Sequence, residues 1–468
     1  MTTAIVVGSG PNGLAAAVVL AEQGVRVQVL EAADTIGGGT RTSELLGPGL
    51  LSDHCSAVHP MGVGSPLLTS LQLGIEWAYP EVDLAHPLDG GRAGVMVRSL
   101  DDTAAGLGAD GAAWKRLFGP IARHFDELNE DLLRPILHVP KHPVHLAGFG
   151  LRSLAPVPLL ARRWKEEEAR ALFAGVACHA LRPLESVASS AIGMALIGAG
   201  HRYGWPVAKG GSRAITDALA ARLLDLGGSV ETGVNVLRRA DLGQHDLLLL
   251  DTSPSGAAAI LADALPSRVR RAYERYRHGP GAFKVDFAVE GGIPWTNEAV
   301  RRAGTVHLGG TLEDLAISER EVVAGRMPER PYVLLSQQYL ADPTRSRGDV
   351  HPVWAYAHVP RGWTGDATEV LLDQVERYAP GVRDRILATS TRTPQGFADY
   401  NANYVGGDVV TGANDVRQVL LRPRLALDPY STGVPGVFLC SAATPPGAGV
   451  HGMCGKNAAE SALRHLRR

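Results

Sequence analysis

Cysteine is scarce in this chain of 468 residues: Cys55, Cys178, Cys440 and Cys454 are the only four, and none are spaced as a metal knuckle. A disulfide framework, a structural zinc site and dithiol chemistry are therefore not expected, and no metal ligand set is read from the sequence. An excess of one charge is missing too, with Lys plus Arg at 46, Asp plus Glu at 48 and a formal net charge of −2. Nucleic-acid binders carry a basic excess, so nucleic acid is not an expected partner. No run of about 18 apolar residues occurs, so no membrane-spanning helix is expected. Met1-Thr2-Thr3 passes directly into an apolar run with no basic segment before it, which reads as a cytoplasmic protein. What is plentiful is apolar residues (45%), with 55 glycines and 30 prolines. The glycines follow no Gly-x-y period, so collagen is excluded, and a loop-rich enzyme of two or three domains fits the length.

The first forty residues carry the strongest pattern. Ala4 to Val7 is a short apolar run of the kind that forms a strand buried on both faces. It leads into Gly8-Ser9-Gly10-Pro11-Asn12-Gly13 and then an apolar helix pattern from Leu14 to Ala21. Gly24 ends that helix, and Val25 to Leu30 reads as a second strand closing on Glu31. This is a βαβ unit with G-x-G-x-x-G in its first turn. Gly8, Gly10 and Gly13 let the backbone turn tightly, so that a pyrophosphate can reach the helix N-terminus beside Pro11 and Asn12. Glu31 stands 18 positions after Gly13, where a carboxylate accepts the ribose hydroxyls and disfavours a 2′-phosphate. The turn is read as a dinucleotide site.

Beyond Glu31 and Ala32 lies Asp34-Thr35-Ile36-Gly37-Gly38-Gly39-Thr40-Arg41-Thr42. A glutamate followed closely by Gly-Gly and Arg-Thr resembles the flavoproteins that include amine oxidases, phytoene desaturases and carotenoid isomerases. The resemblance implies that Gly38, Gly39, Thr40 and Arg41 wrap the pyrophosphate of FAD. It extends to the other end. Gly436 to Thr444 reads as a strand opening into a turn, followed by Pro445-Pro446-Gly447-Ala448-Gly449-Val450-His451-Gly452 and a helix from Lys456 to His465. This is similar to the closing motif of phytoene-desaturase-like proteins, which implies that Thr444, Gly449, Val450 and His451 meet the isoalloxazine. Amine oxidases usually carry an acid in the preceding turn, whereas this chain has Ser441-Ala442-Ala443. A third anchor, Trp205 to Ser212 with the helix pattern Ala214 to Leu226 and the strand Ser229 to Val236, implies an adenine contact at Val236.

The implied architecture is α/β. A Rossmann-type, glutathione-reductase-like FAD-binding domain is assembled from the discontinuous segments 1–65, 205–255 and 415–468. A mixed sheet-plus-helical substrate domain takes 66–204 and 256–414. Gly111 to Leu133 and Glu166 to Ala180 read as cap helices separated by a proline-rich break from Pro135 to Pro158, and the runs Ala282 to Val289 and Val353 to Val359 alternate as strands. Arg162-Arg163-Trp164-Lys165 is read as a solvated helix start, with an anionic membrane surface as the alternative.

Candidate proton movers are His59 and His451, each also readable as a packing residue; His179 and His201 read as structural. Trp205, Trp354, Tyr400 and Tyr404 are candidate pocket walls. Amine oxidases of this superfamily hold a lysine near the flavin, and pattern places that position at Val289-Glu290, so the lysine is expected to be absent. No second G-x-G-x-x-G in a strand–helix setting follows residue 65, so electrons enter or leave by direct contact of the flavin with substrate, oxygen, quinone or free nucleotide, with oxygen or a quinone as the expected acceptor. The leading expectation is hydride removal from a hydrophobic small molecule. An amine or amino-acid oxidase, a redox-neutral isomerase and a non-catalytic escort-like protein are the alternatives. Oligomeric state is not read from the sequence.

Overall fold

The computed structural model describes every residue except Ile136 and Arg468. Two sheets organise it. The first has five strands, all parallel, in the spatial order Val437–Leu439, Leu247–Leu250, Thr3–Val7, Arg26–Leu30, Ser229–Glu231. Its central strand is apolar on both faces because helices cover both, which is the usual setting of a parallel sheet. The helix Pro11–Glu22 packs against Met453–Leu466 and Arg213–Asp225. Contact there is close: a Cβ on Gly455 would fall 1.9 Å from the Asn12 carbonyl oxygen. The strand expected to reach Val236 stops at Glu231, and the chain continues to Val236 as a loop.

The second sheet has seven strands, ordered Ile386–Arg392, Gly281–Glu290, Val350–Val359, Val333–Ser336, Ala303–Leu308, Val82–Pro87, Ala93–Met96. All neighbours are antiparallel except Ala303–Leu308 with Val82–Pro87. Period-two alternation sorts its long strands. Phe283, Val285, Phe287, Val353, Ala355 and Ala357 enter one apolar cluster, so Ala282, Lys284, Asp286, Trp354 and Tyr356 share the opposite face.

That opposite face looks toward a helical layer. Gly111–Arg123, Phe125–Leu132, Glu167–Ala177 and Ser190–Tyr203 pack around Trp114, Phe118, Trp164 and Phe173. Two expectations change here. The proline-rich break contains an eleven-residue helix, Pro143–Ser153, because Pro143 sits at its first position, where no N–H is needed. Trp164, 3% exposed, belongs to the core; the basic stretch around it therefore presents no aromatic to a membrane. Among the described residues no helix is long and apolar enough to cross a membrane.

Candidate functional site

A cavity of about 1450 Å³ runs from the glycine-rich turn to the Lys284-bearing face of the seven-stranded sheet. Its size exceeds the roughly 300–1,000 Å³ of a typical small-ligand pocket, leaving room for a dinucleotide and a second molecule. Gly8, Gly10, Pro11, Asn12, Glu31, Ala32 and Val236 line one end, and Gly38, Gly39, Thr40, Arg41, Gly449, Val450 and His451 line it further on. His59, Trp205, Trp354, Tyr400 and Tyr404 also face it. Two expected residues do not. Gly13 supports the turn from behind, since a Cβ there would sit 2.1 Å from the Gly8 carbonyl oxygen. Thr444 is fully buried and its Oγ1 donates to the Ser441 carbonyl at 2.7 Å.

The turn is shaped by backbone needs. Gly8 has φ of 102°, a conformation glycine adopts without strain. Glu31 is gripped on both oxygens: Oε2 accepts from Ser9 N at 2.8 Å and Ser9 Oγ at 2.6 Å, and Oε1 from Ala33 N at 3.0 Å and Arg41 Nη2 at 3.2 Å. Arg41 also donates to the Thr35 carbonyl, so its fork is used within the loop instead of standing free as a phosphate cation. The second glycine run touches the first, with a Cβ on Gly38 falling 3.1 Å from Gly10 Cα. At Gly39 a Cβ would lie 2.2 Å from the Tyr404 hydroxyl. Tyr400 donates to the Gly38 carbonyl at 2.5 Å and completes this wall.

The two histidines separate in role. The Ser212 hydroxyl donates to the Ser56 carbonyl at 2.7 Å, so the 2.8 Å contact between Ser212 Oγ and His59 Nε2 must be donated by His59. His59 Nδ1 is then a bare, buried acceptor without a partner, and burial lowers the ring's pKa to about 4. It is neutral at pH 7 and able to accept a hydrogen bond. His451 is occupied instead: its Nδ1 accepts from Met453 N at 3.0 Å, capping the helix Met453–Leu466, and burial takes its pKa to about 4. Its Nδ1 is thereby committed to the backbone, which is the packing role weighed for His451 beside the proton-moving one.

Three groups were missed. Lys284, assigned no role from the sequence, is fully buried on the cavity-side face, ion-paired to Asp286, with Nζ 5.6 Å from the Trp354 ring centre. Burial pushes its ammonium below the usual range while Asp286 opposes. The signal was two charged residues at alternate positions of an otherwise apolar strand. His179, read as structural, lines the cavity and pairs Nε2 to Nε2 with buried His307 at 3.1 Å. His201 does prove structural, taking the Trp114 indole N–H at 3.0 Å. Asp251 closes the strand Leu247–Leu250, accepts Gly13 N at 2.9 Å, and has its pKa raised by burial to about 7.

Residues 6–69 match the family described as NAD(P)-binding Rossmann-like domain. Over 99% of its length the chain is 24% identical to the mouse pyridine nucleotide-disulfide oxidoreductase domain-containing protein 2, covering 94% of that protein. It superposes on putrescine oxidase with a TM-score of 0.62 and 17% identity, covering 100% of this chain and 99% of the oxidase. The chain has the fold of these oxidases. Cyclohexylamine oxidase from Brevibacterium oxydans gives 0.58 and 17%, with both chains fully covered. The match thus reaches the wider oxidoreductase fold and does not single out phytoene desaturases. None of the four cysteines is disulfide-bonded.

The site fits FAD. Asn12 Oδ1 and Thr252 Oγ1 are buried polar atoms without protein partners on cavity-lining residues, and such atoms are costly unless a ligand or water meets them. A Cβ at Gly38 or Gly39 would meet the protein's own Gly10 and Tyr404, so these glycines let the second loop pack directly against the first turn and the aromatic wall.

Proposed function

We propose that this FAD-dependent oxidoreductase takes a hydride from a C–H bond of an uncharged, largely apolar small molecule. One observation carries the reading: a single cavity joins the dinucleotide turn to a chamber walled by Leu132, Leu146, Phe149, Leu196 and Trp354. The cofactor's adenine end would rest at Glu31, Ala32 and Val236, and its ring system near Tyr404, Gly449 and Val450. Bound FAD supplies a two-electron acceptor; the protein's task is to hold the C–H bond in place and keep water out. The helices Phe125–Leu132, Pro143–Ser153 and Ser190–Tyr203 exclude solvent, and the neutral His59 ring forms part of the cavity wall. The segments 1–65, 205–255 and 415–468 act as the cofactor half and the remainder as the substrate half. Oxygen or a quinone takes the electrons onward.

Lys284 favours a second reading, amine oxidation, because a buried amine beside the cavity is the group missing from the desaturase-like pattern. Anaerobic bleaching of the bound FAD decides between them. Hydrophobic allylic or enone compounds should bleach it; if primary or secondary amines alone do so, the second reading replaces the first.

Contact with a lipid surface remains part of the proposal. Val144 and Leu151, seven residues apart on one helix face, are 79% and 77% exposed beside the cavity wall. Wild-type protein should sediment with anionic vesicles and the Val144→Asp/Leu151→Asp protein should not; equal sedimentation would end this part of the reading.

A further inference from the structure

We propose that His124, Glu127 and His145 form a binding site for one divalent first-row cation of the zinc class, tying together two helices of the cavity wall. His124 and Glu127 stand at the start of Phe125–Leu132, and His145 lies in the first turn of Pro143–Ser153. Among the described residues they are the one group of three histidine, cysteine or carboxylate side chains whose ligand atoms lie within 4.8 Å of one another. Glu127 Oε2 is 3.1 Å from His124 Nδ1 and 3.0 Å from His145 Nε2. Two ligand atoms on a tetrahedral zinc centre stand about 3.3 Å apart, so the two nitrogen-to-carboxylate separations need open by only a few tenths of an ångström. The two imidazoles stack at 4.1 Å with a 16° interplanar angle, so one ring must also turn out of the stack for both in-plane lone pairs to converge on one ion.

The donor set is two imidazoles and one carboxylate, a combination suited to zinc and not to calcium or magnesium. The three side chains are each between 34% and 43% exposed, so water can complete the coordination. Without metal, His124 Nδ1 carries the hydrogen it donates to Glu127, while His145 Nε2 approaches the same oxygen as an ion-pair contact. On binding, that proton shifts to the other ring nitrogen, leaving His124 Nδ1 and His145 Nε2 as lone-pair donors.

The arrangement is held in place independently of the ion. Asp131, 2% exposed, accepts Lys141 N and His142 N at 2.9 Å each and contacts His138 Nε2 at 3.0 Å. The connection between the helices is thereby pinned to the first of them. Leu132, Leu146 and Phe149 of these helices line the cavity, so the ion would fix the wall against which the second molecule packs.

The test uses the full-length, FAD-loaded protein after metal removal, titrated with Zn²⁺ in a calorimeter. One saturable site is expected, along with a rise in Tm and, for Co²⁺, visible absorption of low-symmetry coordination. His145→Ala and Glu127→Gln should each weaken binding by about tenfold or more, the loss that even indirect partners of a metal site cause. Unchanged flavin content and circular dichroism in both variants confirm that they fold. Absence of saturable binding in the wild type, or wild-type affinity in both variants, would overturn the proposal and leave the trio a hydrogen-bonded staple.

Discussion

Asp251→Asn isolates one buried charge. The asparagine keeps an oxygen to accept Gly13 N–H, so the turn retains its 2.9 Å hydrogen bond. What disappears is a carboxyl whose pKa burial raises from 3.8 to about 7, opposed by the Gly13 bond and assisted by Glu31. A carboxyl raised in the folded state binds protons there that the unfolded chain has released, so its contribution to stability falls as pH rises from about 4 to beyond 7. Between pH 5 and pH 8 the linkage relation gives a loss of up to about 2.5 kcal/mol for the wild type, absent in the variant. The side chain opens partly onto the cavity, which makes this an upper bound. The buried histidines act oppositely: His59, His86 and His451, depressed to about 4, add stability above their ordinary range and lose it as pH falls. Both proteins share them, so the difference between urea-unfolding curves of the flavin-free proteins reports Asp251 alone. A pyrophosphate bound at the glycine turn adds negative charge, so wild-type affinity for FAD should also weaken with pH while the variant's stays flatter. Stability curves that remain parallel from pH 5 to pH 8 would refute the assignment of a titrating Asp251.

Gly39→Ala should lower Tm and flavin content, because its Cβ meets the Tyr404 hydroxyl at 2.2 Å; adding Tyr404→Phe should restore both, since the next ring atom is 3.5 Å away. Failure of that rescue would show that the clash is not the cause. Glu31→Ala removes the group gripped by Ser9, Ala33 and Arg41. Flavin per chain should fall, with an affinity loss of about 1.5–3 kcal/mol as for charge-assisted hydrogen bonds; wild-type occupancy would exclude Glu31 from the cofactor site.

The parts legible in the sequence were those whose signal is local and periodic. The unit from Thr3 to Leu30 combines a strand, a glycine turn, a helix and a strand within thirty residues, and each piece is specified by neighbours in the chain. Alternation likewise marked the Gly281–Glu290 and Val350–Val359 strands. Lys284 escaped because its environment is made by distant partners: Tyr356 lies opposite it and Trp354 opposite Asp286 across the sheet. Matching by offset from a motif directed attention to Val289-Glu290, whereas the burial of Lys284 follows from which face of the strand it occupies. Helix Pro143–Ser153 was hidden by proline content, which breaks a helix in its interior and not at its first turn. His451 was assigned by its motif, yet its use as a cap depends on where the following helix begins.

The same distinction explains how the cavity is held together. Asp53, fully buried, accepts Thr42 Oγ1 at 2.6 Å, Ser212 N at 2.8 Å and Arg345 Nη1 at 2.6 Å. Burial works against its charge, but Arg345 and these donors hold its carboxyl below the ordinary range. Arg345, itself fully buried, also donates to Asp342 Oδ2 at 3.2 Å and to the Ala208 carbonyl at 2.8 Å. One polar knot thus binds the segment after the second glycine run, the loop before helix Arg213–Asp225, and the stretch between two strands of the large sheet. Such a cluster adds little net stability compared with a well-packed apolar one, but loss of Arg345 leaves Asp53 and Asp342 without their cation in the interior, at a cost of roughly 3–5 kcal/mol. Its effect is geometric. Ser212, fixed by Asp53, sets the tautomer of His59, so the orientation of this cavity-lining ring depends on an arginine that lies 286 positions away in the chain.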